Sequence, residues 1–227
     1  MASPVRKPAF AVTNAFSVPL INAQHEDPEH LNGELARLFR KRAESDAYRN
    51  PEPRVKRNKA LFESRFNLFD WPESCVRELR DFCFGHLFHT IRELNGYDQA
   101  MLKDLRYACE SWFHLTRKGG FFAAHNHPLH SWSGVYCVRH DGDDPDSDSG
   151  RLTFLSPHMG ANMYVDAANV RFQRPFSAAP LMLRLEPGQL VLFPSWLLHE
   201  VTPYEGETER ITVAFNVRFQ YVGSQTL

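Results

Sequence analysis

The most regular stretch of the chain lies near its end. Ile211, Val213, Phe215, Val217 and Phe219 fall on one side, and Arg210, Thr212, Ala214, Asn216 and Arg218 on the other. Alternation of period two marks a β-strand whose two faces meet different surroundings. In a sandwich the apolar side would turn inward. A barrel that holds a charged ligand can instead turn its polar side inward and cover its apolar exterior with helices. Two amphipathic helices are available for that cover. Over 27–43, Asp27 stands at the N-cap, Pro28 takes the first helical position, and Leu31, Leu35, Leu38 and Phe39 form one stripe. After a charged, proline-bearing loop over 48–58, Asp70-Trp71-Pro72 opens the second helix, in which Val76, Leu79, Cys83, Leu87 and Leu94 recur at helical spacing and Gly96 marks the end.

From about residue 105 the pattern changes to short β-type runs divided by Gly and Pro, at 107–116, 121–127, 133–139, 152–155, 181–185, 189–193 and 210–219. The expected fold is mainly β with N-terminal helices. It forms one domain in which 1–104 is a helical cover and 105–227 the core, a length of 227 residues that a single β-barrel domain can reach. The acidic run 141–149 sets Asp144, Asp146 and Asp148 at alternate positions, faintly like a calcium loop. Pro145 and the missing glutamate at the twelfth place favour a solvated hairpin loop.

Composition removes several function classes. A formal net charge of −1 leaves no basic footprint, so no nucleic-acid partner is expected, and a small-molecule or peptide substrate is the more natural one. Cys75, Cys83, Cys109 and Cys137 form no CxxC pair, which predicts reduced thiols and a cytoplasmic location. Residues 1–16 lack the apolar core of a signal peptide, and no stretch approaches the roughly 20 apolar residues of a membrane span, so no membrane partner is expected. The sequence does not indicate an oligomeric state.

Candidate chemistry rests on four residues. His125 and His127, one residue apart on an extended segment, project to one face while Asn126 points away. His199 follows 72 residues later on another hydrophobic strand, and Arg210 another 11 residues on. The set fits a metal on the rim of a barrel, with Arg210 placed to grip a carboxylate through two parallel hydrogen bonds and Thr212 to add a third. Each residue also has an ordinary reading. A histidine is more often a solvated or core residue than a ligand, and Arg210 could pair on the surface with Glu207 or Glu209. His130 is out of line with His125, and His114 reads as a pocket or structural residue. Ser133 and Tyr136 are candidates to reach a co-substrate, although an aromatic on a strand is usually core. Trp112, Trp132, Asn162 and Trp196 are candidates for the pocket wall.

With these residues in hand, the chain resembles the Fe(II)- and 2-oxoglutarate-dependent oxygenases, whose jelly-roll core carries HxD, a distant His, and a late Arg followed two residues on by Ser or Thr. His125-Asn126-His127, His199 and Arg210-Ile211-Thr212 occupy those places in order. More narrowly, His127-Pro128-Leu129-His130-Ser131-Trp132-Ser133-Gly134-Val135-Tyr136, and the run from Pro187-Gly188 through Phe193-Pro194-Ser195-Trp196 to His199, are similar to a branch bearing HxHP and SGVYY-like motifs. The likeness spans roughly 105–219.

The resemblance implies a double-stranded β-helix, or jelly roll, with amphipathic helices packed on its outer face. It implies Fe(II) held by His125, His127 and His199, with zinc or nickel as substitute metals. It also implies 2-oxoglutarate as co-substrate with its distal carboxylate on Arg210 and Thr212, and a dioxygenase that hydroxylates an unidentified substrate while releasing succinate and CO2. The departure is His127, which stands where most members have a carboxylate. Three histidines also make a zinc site with an open water position. A zinc hydrolase or lyase, and a non-catalytic metal-binding barrel, are therefore the alternatives.

Overall fold

In a computed structural model, residues 10–223 are described. The elements run β1 (Ile21–Gln24), α1 (Pro28–Ala43), β2 (Leu61–Glu63), α2 (Ser74–Asn95), α3 (Gln99–Lys103), β3 (Leu105–Thr116), β4 (Phe122–His125), β5 (Trp132–Arg139), β6 (Leu152–Phe154), β7 (Leu181–Leu183), β8 (Gln189–Pro194), β9 (His199–Val201) and β10 (Arg210–Tyr221). They form two antiparallel sheets, one of six strands in the order β1-β8-β5-β10-β3-β2 and one of four in the order β4-β9-β6-β7. This is the jelly roll.

Both long helices form for the reasons visible in the sequence. Asp27 accepts a bond from the His30 N–H at the start of α1, with Pro28 just inside it. Gly96, at φ 69°, ends α2 in the left-handed region that costs a glycine little. Leu31, Leu35 and Phe39 of α1 and Val76, Leu79 and Leu87 of α2 are fully buried, and they pack with Ile211, Val213, Phe215 and Val217 of β10 in one cluster. Each such side chain removed from water stabilises the fold by about 2 kcal/mol. The stripe of α2 ends one turn earlier than its spacing suggests, since Leu94 is 55% exposed.

Residues 1–104 contribute more than helices. β1 and β2 form the two edges of the large sheet, and α3 precedes β3; none of the three is announced by the hydrophobic pattern. The strand expected over 189–193 is β8, and after a turn at 195–198 His199 opens β9 in the other sheet.

The expected face assignment of β10 is what the structure shows. Its apolar side meets the helices, and Arg210, Thr212, Ala214 and Asn216 line a cavity between the sheets. His125, His127 and His199 line the same cavity.

Candidate metal centre

His125 closes β4 and pairs in register with His199, the first residue of β9. The ring centroids of His125 and His199 are 4.4 Å apart, those of His125 and His127 5.0 Å, and those of His127 and His199 5.1 Å. One nitrogen from each ring lies within 4.8 Å of the others, a grouping able to hold a metal ion. The strand does not run to residue 127 as the pattern suggests. A register irregularity between Phe122 and His125 adds a residue to β4, so that Phe122 and His125, three apart, both face the cavity. His127 lies beyond the strand end and is fixed there by its backbone N–H bonding to the Ser195 carbonyl at 2.9 Å.

Hydrogen bonds settle which nitrogens are free. His125 Nδ1 lies 2.7 Å from the Ala123 carbonyl and His199 Nδ1 2.8 Å from the Leu197 carbonyl. A carbonyl only accepts, so both Nδ1 atoms carry the hydrogen and both Nε2 lone pairs are available. Burial, helped by the His199 and His125 rings, pushes His127 down to about 2, and burial with His125 pushes His199 to about 3. His125 is lowered as well, again by burial. All three rings are therefore uncharged at neutral pH, as metal ligation requires.

Arg210 is 2% exposed, lines the same cavity, and has no hydrogen-bonding partner for its Nε. The surface pairings open to it in the sequence are taken: Glu209 pairs with Arg40, and Glu207 with Lys118. Among the described residues no carboxylate forms an ion pair with it. Burial accordingly lowers its pKa. Beside it Thr212, also 2% exposed, faces the cavity. A buried guanidinium without an anion costs several kcal/mol unless something anionic arrives.

Two candidates for the co-substrate separate. Ser133 lines the cavity and hydrogen-bonds Ser195 Oγ and Asn216 Oδ1, each at 2.8 Å. Tyr136 does not: it is fully buried in the helix-facing core, and its hydroxyl donates to Asn32 Oδ1 at 2.9 Å. Tyr136 opposes Val213 across the sheet and shares its outward side, so the expectation for it is corrected. Of the proposed wall residues Trp112 lines the cavity. Trp132 packs on the outer core, and Asn162 and Trp196 are exposed away from the cavity.

The sequence reading missed several polar groups. Glu63, buried at the end of β2, meets Asn50 at 2.6 Å and forms an ion pair with Arg57. Burial opposes its ionisation, but His114, Asn50 and Arg57 hold it down at about 2. His114 Nε2 lies 2.8 Å from Trp112 Nε1 and 3.2 Å from Glu63 Oε2. The indole only donates and the ionised carboxylate only accepts, so this nitrogen serves one of them at a time. Asp143, inside the run read as a solvated loop, is buried against Arg184 in a two-pronged pair of 3.0 and 2.9 Å. Burial works against this carboxyl too, and Arg184 holds it at about 2. An arginine between Leu183 and Leu185 was the one available signal for that pair.

Two expected outcomes follow directly. Gly150, at φ 59°, is where an added Cβ would lie 2.9 Å from Arg210 Cδ and 3.1 Å from His140 Nε2. Gly150→Ala is expected to push Arg210 out of place as well as strain the backbone by about 1–2 kcal/mol. A raised KM for the ligand of Arg210, with kcat less affected, checks this.

The second concerns pH. Burial, with Arg210 and Arg184 nearby, lowers His140 to about 4, and His199 lies at about 3, both against 6.5 in an unstructured chain. The unfolded chain therefore takes up protons first. Stability present above pH 6.5 is lost as pH falls, by up to about 1.4 kcal/mol per unit for each histidine held neutral. Urea unfolding of chelator-treated protein at pH 7.5 and 5.5 measures it.

The family model described as "Putative 2OG-Fe(II) oxygenase" matches residues 110–216, which carry all of these candidates. Over these residues the chain is similar to the 2OG-Fe(II) oxygenase family. The enzymes of this family depend on Fe(II) and 2-oxoglutarate. The three uncharged imidazoles and the partnerless guanidinium fit those two groups. Among solved structures, a Pseudomonas putida prolyl-4-hydroxylase is 19% identical with a TM-score of 0.59, covering 91% of this chain and 94% of that one. A prolyl hydroxylase from Trichoplax adhaerens, in complex with a hypoxia inducible factor oxygen degradation domain peptide fragment, is 12% identical at TM-score 0.55, covering 88% and 83%. The non-heme alpha ketoglutarate dependent epimerase SnoN from nogalamycin biosynthesis is 12% identical at 0.58, covering 92% and 81%. At such identities these neighbours share the fold. No curated protein matches in sequence. No helix among the described residues is long and apolar enough to cross a membrane.

Proposed function

We propose that His125, His127 and His199 hold Fe(II), that Arg210 and Thr212 hold the distal carboxylate of 2-oxoglutarate, and that the enzyme hydroxylates a small-molecule or peptide substrate. The observation that carries this is Arg210, a buried cation with an unpartnered Nε in the same cavity as three neutral imidazoles. A dicarboxylic keto acid supplies both missing partners at once, an anion for the guanidinium and chelating oxygens for a metal. Bound Fe(II) with 2-oxoglutarate supplies oxidative decarboxylation and the oxygen-activating chemistry of hydroxylation.

The chain's own part is binding, orientation and exclusion of water. Carbonyls of Ala123 and Leu197 keep the Nε2 atoms of His125 and His199 deprotonated and aimed. Apolar Phe122, Leu152, Phe193 and Val201 keep the wall between the two ends dry. Ser133, tied to Ser195 and Asn216, orders the wall near His127. The solved neighbours, which include a hydroxylase bound to a peptide fragment and an epimerase, support a small-molecule or peptide substrate. We also take 1–104 and 105–227 as a single domain, since β1 and β2 complete the large sheet. Four free thiols support a cytoplasmic setting.

The test is an anaerobic titration with Fe(II) followed by 2-oxoglutarate. A visible charge-transfer band is expected, and its absence in folded protein, with tight zinc binding instead, overturns the reading. His127→Asp places a negative charge beside a divalent cation and is expected to tighten Fe(II) binding by roughly ten-fold. Unchanged affinity would remove His127 from the ligand set.

A further inference from the structure

The cavity has two carboxylates on its wall among the described residues, Glu63 and Glu110. Glu63 is consumed by Asn50, Arg57 and His114. Glu110, on the inward side of β3 opposite Asn216, is bonded by Arg54 alone, whose Nη1 donates to its two oxygens at 3.4 and 3.2 Å. The Arg54 guanidinium also sits over the Phe66 ring, 5.1 Å from its centroid. Phe66 in turn packs on Trp112 at 4.7 Å, and Trp112 lies 6.2 Å from the His127 ring. A carboxylate and an aromatic face that hold one guanidinium between them make a receptor for an organic cation. This one stands one side chain away from the metal centre.

The two members of the ion pair are held differently. Glu110 belongs to a twelve-residue strand and pairs there with Asn216 of β10, and its side chain is 32% exposed. Arg54 follows Pro51 and Pro53 on a loop, with its side chain 67% exposed. An exposed pair of this kind contributes little stability, so Arg54 can leave at small cost while Glu110 stays. His130 Nε2 stands 4.0 Å from Glu110 and marks the third side of the receptor.

We propose that the primary substrate carries an ammonium or guanidinium group, which binds between Glu110 and the Phe66 ring and displaces Arg54. Arg54 occupies the place of that cation when the substrate is absent. The inference rests on the oxygenase reading for its chemistry, since the cage would set the substrate beside iron. Its binding can nevertheless be measured separately.

The probes are Nα-acetyl-arginine methylamide and its uncharged near-isostere Nα-acetyl-citrulline methylamide, titrated calorimetrically into the Fe(II)- and 2-oxoglutarate-loaded protein under argon. The arginine probe is expected to bind roughly ten-fold more tightly. Glu110→Gln should erase that difference, with circular dichroism confirming its fold. Arg54→Ala should tighten the arginine probe several-fold and leave the citrulline probe where it was. Equal affinity of the two probes for the wild type, detectable binding of neither, or a preference that survives Glu110→Gln overturns the proposal. So does weaker arginine binding in Arg54→Ala. Failure of the oxygenase reading looks different: 2-oxoglutarate gives no heat in the same instrument, while the charged-over-neutral preference persists in the metal-free protein.

Discussion

Replacing Arg210 by methionine is expected to make the ligand-free protein more stable while abolishing its response to 2-oxoglutarate. In the absence of ligand the guanidinium is buried at 2% exposure, its Nε is unpartnered, and Arg184 adds like charge nearby. An apolar chain of similar length removes that burden. Replacement of buried charges by packed apolar groups commonly stabilises by about 1–4 kcal/mol, which for a chain of this size raises Tm by several degrees, at roughly 2–4 °C per kcal/mol. Saturating 2-oxoglutarate reverses the order, because a ligand at about 1,000 times its Kd adds about 4.1 kcal/mol to whichever protein binds it. Thermal unfolding of both proteins with and without 2-oxoglutarate should therefore show crossed rankings. A methionine variant that is less stable without ligand, or still stabilised by it, would show that Arg210 is a structural residue.

His199→Ala should lower 2-oxoglutarate turnover by roughly three orders of magnitude, since removing a metal ligand forfeits several kcal/mol of catalysis. His199 is the best fixed of the three rings. It is 4% exposed, faces His125 across β4 and β9, and packs against Phe193 at 4.9 Å and Phe154 at 6.1 Å. Alanine leaves an imidazole-sized space that opens on the cavity, so added imidazole should restore part of the iron content and of the turnover. Rescue separates loss of a ligand from loss of the fold. Turnover within a few-fold of wild type, with full iron occupancy, would take His199 out of the centre.

The parts of this protein legible in its sequence are those governed by local periodicity. The two-residue alternation of β10 gives the inward set Arg210, Thr212, Ala214 and Asn216, and the helical stripes of α1 and α2 give the surfaces that cover its other face. The order His125, His127, His199, Arg210 was also readable, because each residue interrupts or borders an apolar run. Short edge strands were not: β1 and β2, of four and three residues, are too brief to show a period and exist because β8 and β3 offer them an unpaired edge.

Tertiary structure decided what pattern leaves degenerate. Tyr136 and Ser133 lie on one strand buried on both faces, where alternation assigns opposite sides without saying which is inside. A single added residue in β4 decided that Phe122 shares the cavity with His125. Pairings between distant segments, Glu63 with His114 and Asp143 with Arg184, leave almost no trace in the sequence, because a long-range ion pair imposes no spacing. The sequence by itself determined which side chains could do the chemistry. Only the packing of two sheets brought three imidazoles together, removed Arg210 from water and left its Nε unpartnered, and it is that desolvation which turns a strand residue into an anion site.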